Sequence, residues 1–302
     1  MKSILITGAG GFIGSHAVNF FKASGYDTYG LGHSGLLPVE SNLDNWRKDD
    51  ISLNAILEFG IDFDAIVHCG GGASIRYSME NISEDYKKTV VGTLEVLEYM
   101  KNYNPNAYLI YPSSPAVQGE HPDQPRKEEY NGEPISPYGQ HKKETENLCH
   151  SYSKKFGLSI SIVRLYSVYG SGLRKQLLWD ACNKIIKAKS EVVFWGTGAE
   201  VRDFIHVEDV ISLFGILLNK KEKFLVINGG TGIRNTVKNI VENVRDYLKP
   251  GIEINFNNQI DIGNPKYYLA DTQKLKTYKY SVKKDLNDEI KKYVEWVKGL
   301  DD

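Results

Sequence analysis

Through the first half of the chain, short runs of apolar, β-branched residues alternate with longer segments whose apolar positions recur at helical spacing. Residues 3–6, 27–31, 65–68, 107–111 and 159–164 predict strands, and residues 12–24, 52–59, 82–103 and 137–156 predict helices between them. Strand then helix, repeated, is the pattern of a doubly wound parallel sheet with helices on both faces, so the expected class is α/β. Beyond about Ser167 the rhythm loosens, and turn residues cluster at Gly170-Ser171-Gly172, Gly196-Thr197-Gly198 and Gly229-Gly230-Thr231-Gly232. A larger domain over residues 1–166, to which the chain returns around 203–228, and a smaller α/β lobe mainly over 167–302 are therefore expected. The segment 120–137, rich in Pro and Gly, reads as a surface loop.

At 302 residues and 41% hydrophobic, the chain can bury a core without disulfides or metal. Lysine and arginine number 37 against 38 acids, so no general field draws it to nucleic acid or an anionic membrane. Three scattered cysteines without a CxxC spacing point to a reducing compartment. The apolar run after Met1-Lys2 breaks at Thr7-Gly8, too early for a secretory segment, and no run is long enough to span a membrane. The expectation is a soluble cytoplasmic protein.

Ser3-Ile4-Leu5-Ile6-Thr7 leads at once into Gly8-Ala9-Gly10-Gly11-Phe12-Ile13-Gly14, after which a helix starts. Gly8 suits a tight turn, Gly11 lets backbone approach a pyrophosphate, and Gly14 allows close helix packing. The open helix N-terminus, at Phe12 and Ile13, offers N–H groups and a positive dipole end to that phosphate. An NAD-preferring site carries an acid at the end of the second strand, and here that position falls on Gly32. With His33 and Ser34 able to donate to a 2′-phosphate, the pattern tilts towards NADP over NAD. Asp50-Ile51 stands where an acid and an apolar residue could hold the adenine.

Ser136-Pro137 opens a helix, as an N-cap and a first-turn proline. Tyr138 and Lys142, four positions apart, share one face of it. An adjacent ammonium, helped by an oxidised nicotinamide ring, favours phenolate and moves the tyrosine towards acid–base chemistry. Ser113-Ser114, at the end of the preceding strand, can place a hydroxyl on the same substrate oxygen. The seven histidines show no metal-ligand spacing; His206 reads as structural, and Cys149 and Cys182 as buried apolar residues.

In these motifs the chain resembles the extended short-chain dehydrogenases/reductases, in the group of NAD(P)-dependent nucleotide-sugar epimerases, dehydratases and reductases. The segments that carry the resemblance are TGAGGFIG (7–14), SSPAVQG (113–119), SPYGQHK (136–142), RLYSVYG (164–170) and GTGAEVRDFIHVEDV (196–210), in matching spacing. The resemblance implies Ser114, Tyr138 and Lys142 as the catalytic residues, with Lys142 also on the nicotinamide ribose. It implies Arg202 as the grip on the substrate diphosphate, Cys69, Gly70 and Gly71 as a cofactor loop, and Asp271 as an acid near the second-lobe substrate site, though a helix cap explains Asp271 as well. Arg174 and Lys175 lie where the family closes over the nucleotide and could bind the diphosphate, with Gln176 or Trp179 on the base; a solvated charge pair opening a helix is the equal alternative. Thr89 and Ser167 replace two usual asparagines, and Pro115-Ala116 after Ser114 argues against a 4,6-dehydratase.

The leading expectation is a 4-keto-sugar reductase that passes hydride from NADPH to C4 of a nucleotide-diphosphate sugar, as used for surface polysaccharide. The alternatives are a nucleotide-sugar 4-epimerase with tightly bound NAD, a C4 dehydrogenase, or a dinucleotide-sensing protein without turnover. The resemblance also implies a homodimer through the helices of 82–103 and 137–156.

Overall fold

The computed structural model describes residues 2–33, 45–259 and 263–300. In chain order the elements are β1 (Ser3–Thr7), α1 (Phe12–Ala23), β2 (Asp27–Gly32), β3 (Asn45–Lys48), α2 (Leu53–Leu57), β4 (Ala65–His68), α3 (Ile75–Glu80), α4 (Ile82–Tyr86), a π-helical turn (Lys87–Val91) and α5 (Gly92–Tyr103). Then come β5 (Tyr108–Ser113), a 3₁₀ turn (Pro115–Gln118), α6 (Pro137–Phe156), β6 (Ser159–Leu165), β7 (Ser167–Tyr169), α7 (Gln176–Lys187), β8 (Glu191–Phe194), β9 (Val201–Arg202), β10 (Phe204–His206) and α8 (Val207–Lys220). The chain ends through β11 (Phe224–Gly229), β12 (Asn235–Thr236), α9 (Val237–Leu248), β13 (Glu253–Phe256), α10 (Gln273–Thr277) and α11 (Leu286–Lys298).

Seven of these strands form one parallel sheet in the order β11-β6-β5-β4-β1-β2-β3. Side chains alternate across it, as the pleat requires. Ile4, Ile6, Val67, Ile110, Val163 and Ile227 pack on one face with α1 and α8. Leu5, Ile66, Leu109, Ile160 and Ile162 pack on the other with α2, α5 and α6. Burial of each such side chain contributes about 1.5–3 kcal/mol. A separate cluster joins α7, α9 and α11 to β8 and β10.

Two strands of the seven-stranded sheet are not among the predicted strands. β3 reads Asn-Trp-Arg-Lys at the sheet edge, without an apolar face. β11 follows α8 and pairs with β6 from Phe224↔Ile160 to Gly229↔Leu165, so the last edge strand comes from the region where the rhythm loosens. The helix expected over 82–103 is broken by the π turn at Lys87–Val91. Such turns mark an inserted residue and often accompany functional sites.

The sheet reverses direction of growth at β1, with β2 on one side and β4 on the other. The carboxyl ends of β1 and β4 therefore border the crevice where an open α/β sheet binds its ligand. No described helix is long and apolar enough to cross a membrane.

Candidate active site

The crevice is lined by the first glycine loop. Gly8 has a positive φ of 64° and donates its N–H to Leu31 O at 2.7 Å. A Cβ on Gly8 would stand 2.8 Å from the Cys69 carbonyl and from Gly70 N, and one on Gly14 would collide with Gly8 O. Strand, loop and helix are thus pressed together without side chains between them. Helix α1 begins after Gly11 with no side-chain cap and no acid in its first turn, so its N–H groups at Phe12 and Ile13 stay available to an anion. Ile51 packs directly on Gly70, and Gly71 lies against Thr89, which brings these four residues into one wall.

At the rim, Gly32 has a φ of 149° and comes so close to Gly8 that a Cβ would stand 3.3 Å from Gly8 Cα. His33 does not face outward alone: its Nε2 meets Asp50 Oδ1 at 2.8 Å. The acid missing from the end of β2 is supplied from the end of β3. A carboxylate there disfavours a 2′-phosphate, the physical argument against the NADP tilt. Ser34 lies outside the described residues.

The floor is built by β4, β5 and α6. Ser136 caps α6 by accepting from Gly139 N at 3.2 Å, and Ser78 Oγ accepts from Tyr138 N at 3.0 Å. Gly139 lets the first turn of α6 rest on the 3₁₀ turn, because a Cβ there would stand 2.6 Å from Ala116 O. That contact brings Ser114 to Tyr138. The Ser114 hydroxyl accepts from Ala116 N at 3.2 Å and also hydrogen-bonds the Tyr138 phenol. Lys142 Nζ donates to Pro112 O at 3.0 Å and lies 4.7 Å over the Tyr111 ring and 6.0 Å from that of Tyr138. A buried pair, Arg164 with Glu146, holds α6 to β6, and Ser113 donates to the same carboxylate at 2.6 Å.

Burial sets the protonation of this floor. It pushes the Tyr138 phenol up to about 12, opposed by the Ser114 hydrogen bond, with the Asp85 carboxylate adding to the rise. It brings the Lys142 ammonium down to about 8, against the pull of Asp85. His68 is lowered to about 3 by burial and then by Lys142, so it is neutral, its ring nitrogens meeting Thr7 Oγ1 at 2.6 Å and Thr93 Oγ1 at 3.0 Å. With the phenol raised to about 12, Tyr138 stays protonated near neutral pH, and a further positive charge beside it would favour phenolate.

Thr89 sits in the π turn, where its Oγ1 accepts from Gly72 N at 2.8 Å. Asp85, outside every motif, and His141, within the SPYGQHK segment but given no role there, form a buried pair at 2.6 Å, and the Asp85 carboxylate acts on the Lys142 ammonium. The second Asp85 oxygen has no partner and lies against Gly72, where a Cβ would collide with it.

Across the crevice, β7 and β9–β10 present the second-lobe residues. Ser167 N donates to Asp203 O at 2.9 Å, which places Ser167 beside Arg202. Arg202 reaches Asn264 Oδ1 at 3.1 Å and lies over the Tyr268 ring at 5.3 Å. The neighbouring Asp203 is fully buried, and its carboxylate accepts from Thr231, Gly232 and Ala270. Asp271 stands one residue before the Thr272 N-cap of α10, and its Oδ1 accepts from Gln273 N at 2.8 Å. Arg174, Lys175 and Gln176 are exposed at the start of α7, with Arg174 over Trp296 at 5.9 Å. The loop before them covers α1, with Gly172 against Phe12 and Ser171 O 3.4 Å from His16. His206 caps α8, and Cys149 and Cys182 are fully buried.

Residues 4–230 match the family model "NAD dependent epimerase/dehydratase family". UDP-glucuronate 4-epimerase 2 of Arabidopsis thaliana is 26% identical over 98% of this chain and 76% of its own. The structure of UDP-glucuronic acid 4-epimerase from Bacillus cereus, in complex with UDP-glucuronic acid and NAD, is 27% identical with a TM-score of 0.87, over 99% of this chain and 100% of that one. UDP-N-acetylglucosamine 4-epimerase from Methanobrevibacter ruminantium M1, in complex with UDP-N-acetylmuramic acid, is 25% identical with a TM-score of 0.87, over 99% of both chains.

Proposed function

This chain belongs to the NAD dependent epimerase/dehydratase family, as an NAD-dependent enzyme of the extended short-chain dehydrogenase/reductase type, and on that premise we propose that it is a nucleotide-sugar 4-epimerase that keeps NAD through turnover and acts on a UDP-linked sugar. The observation that carries the reading is the joining of Ser114, Tyr138 and Lys142 on one buried floor beside the glycine cradle. The named activities of the relatives are 4-epimerisations of UDP-sugars, which favours the epimerase over the 4-keto-sugar reductase. The Asp50 carboxylate at the rim and the NAD bound in the Bacillus cereus relative favour NAD over NADP.

The residues fit the dinucleotide. Gly8, Gly11 and the α1 N-terminus, at Phe12 and Ile13, would hold its diphosphate, with Ile51, Cys69, Gly70 and Gly71 as a wall. Gly32, His33 and Asp50 would meet the adenosine ribose, and Thr89 and Lys142 the nicotinamide end. When bound, the oxidised ring supplies a hydride acceptor at C4 of the sugar and the positive charge that Tyr138 lacks. Tyr138 takes the C4 hydroxyl proton as hydride leaves and gives it back after the keto sugar has turned its other face. Ser114 donates to the same oxygen. Arg202 and Ser167 hold the substrate diphosphate, with Arg174, Lys175 and Gln176 at the mouth.

The test is to denature fresh protein, identify any released dinucleotide by mass, and incubate intact protein with UDP-sugars without added cofactor. Bound NAD and the 4-epimer are expected, and Tyr138→Phe should cut turnover by about 10²–10⁴ while retaining NAD. Empty protein that oxidises NADPH with 4-keto nucleotide sugars would establish the reductase instead.

A further inference from the structure

Asp85 is enclosed by protein on every side. Its Oδ2 meets His141 Nδ1 at 2.6 Å, and its Oδ1 has no hydrogen-bond partner. Among the described residues no lysine or arginine forms an ion pair with it. A buried carboxylate left so lightly compensated is costly. Asp85 stands one turn before Thr89, and both side chains press on Gly72: a Cβ there would collide with Asp85 Oδ1 and stand 3.0 Å from Thr89 Oγ1. The acid thus adjoins the wall that Gly70, Gly71 and Thr89 form.

Its partner stands on the catalytic helix. His141 directly precedes Lys142, and Ser78 of α3 accepts from the Tyr138 N–H. These two contacts hold the first turns of α6 against α3 and α4. Lys142 itself donates to Pro112 O, so no direct ion pair meets its charge. The ionisable groups around that ammonium differ in what they can offer it. Glu146 is taken by Arg164 and Ser113. Burial keeps the thiols of Cys69 and Cys149 and the phenol of Tyr111 protonated, and His68 neutral. Asp85 remains as the acid that favours the ammonium, against the burial that disfavours it. The same carboxylate opposes phenolate at Tyr138. On its outer side His141 meets the Tyr86 ring edge-on at 5.3 Å and lines a surface depression with Glu80 and Glu84, where Lys88 holds Glu84.

We propose that Asp85 is a positioning residue for the reaction at C4: through His141 it fixes the turns of α6 that carry Tyr138 and Lys142, and its carboxylate supplies the negative charge that answers the Lys142 ammonium. One buried charge thereby acts on both catalytic groups in the same direction. It makes the phenol harder to ionise and the ammonium harder to discharge, so it sets where on the pH scale Tyr138 can be phenolate while Lys142 stays charged. The proposal rests on the 4-epimerase reading.

The experiment follows kcat and KM of the NAD-loaded full chain against pH with a UDP-sugar that it turns over. Asp85→Asn keeps the size of the side chain and an acceptor for His141 while removing the charge. Without that charge the phenol and the ammonium both lose their protons at lower pH. Both limbs of the kcat profile should therefore move to lower pH by about one unit, with KM little changed. Asp85→Ser, which is smaller, decides the matter if the amide cannot be seated against Gly72. A profile that only loses height, with both limbs in place, is what a purely structural role gives, and it overturns the proposal. If no UDP-sugar is turned over, the epimerase reading falls, and Lys142 decides the proposal by itself. In carbon NMR spectra of the full chain labelled at lysine Cε, the signal absent from Lys142→Arg should titrate at about 8 in the wild type and about one unit lower in Asp85→Asn. Equal midpoints overturn the proposal.

Discussion

His68 closes the end of β4 with a threonine on each ring nitrogen and the Lys142 ammonium nearby. Its folded value, about 3, lies below the ordinary 6.5. Between those values the unfolded chain binds a proton that the folded chain refuses. The sign is then fixed: this residue contributes no pH dependence above about pH 6.5, and stability falls as pH drops below it, by up to about 1.4 kcal/mol per pH unit. Urea midpoints at pH 7 and pH 5 should therefore differ less in His68→Asn than in the wild type. Equal slopes in the two proteins would show that the imidazole is protonated at no cost. The sequence reveals His68 merely as part of a strand end; its burial depends on Thr93, which no local pattern links to it.

Helix α6 does two jobs at its first turn, capping itself through Ser136 and resting on the turn that carries Ser114. Gly139→Ala puts a methyl group 2.6 Å from Ala116 O. The helix must shift, with an expected loss of about 1–3 kcal/mol by thermal or urea unfolding. Because the shift separates Ser114 from Tyr138, kcat should fall more than KM rises. A variant that loses stability but keeps kcat would detach the helix contact from catalysis. The cap, the proline and the Tyr138–Lys142 face were legible in the sequence because they depend on residues within one turn. The π turn was not, because Thr89 is held there by Gly72, from a different element. Asp85 and His141 meet only after the sheet has brought distant segments together. β3 was missed for the opposite reason: an exposed edge strand of four polar or aromatic residues has no apolar face to read.

At the scale of the molecule, α5 and α6 lie side by side, with Lys101 over the Phe156 ring at 5.0 Å. Their outer surface, continued by α4, leaves Ile82, Tyr103 and Phe156 about half exposed, at 56%, 52% and 47%. A second copy of the chain, the partner implied by the sequence resemblance, would cover them. The double variant Tyr103→Glu, Phe156→Glu should halve the sedimenting mass without lowering the unfolding temperature of the monomer. A wild type that already sediments as one chain would refute the expectation. The strand order has another consequence. β6 waits at the sheet edge until β11 arrives, and between them the chain makes β7–β10 and two helices. On the ribosome, the nascent sheet therefore stays open along one edge until residue 229 has left the exit tunnel. The sheet and the start of the second lobe must be held in solution together, and α8 reaches its seat on α1 shortly before that edge is sealed.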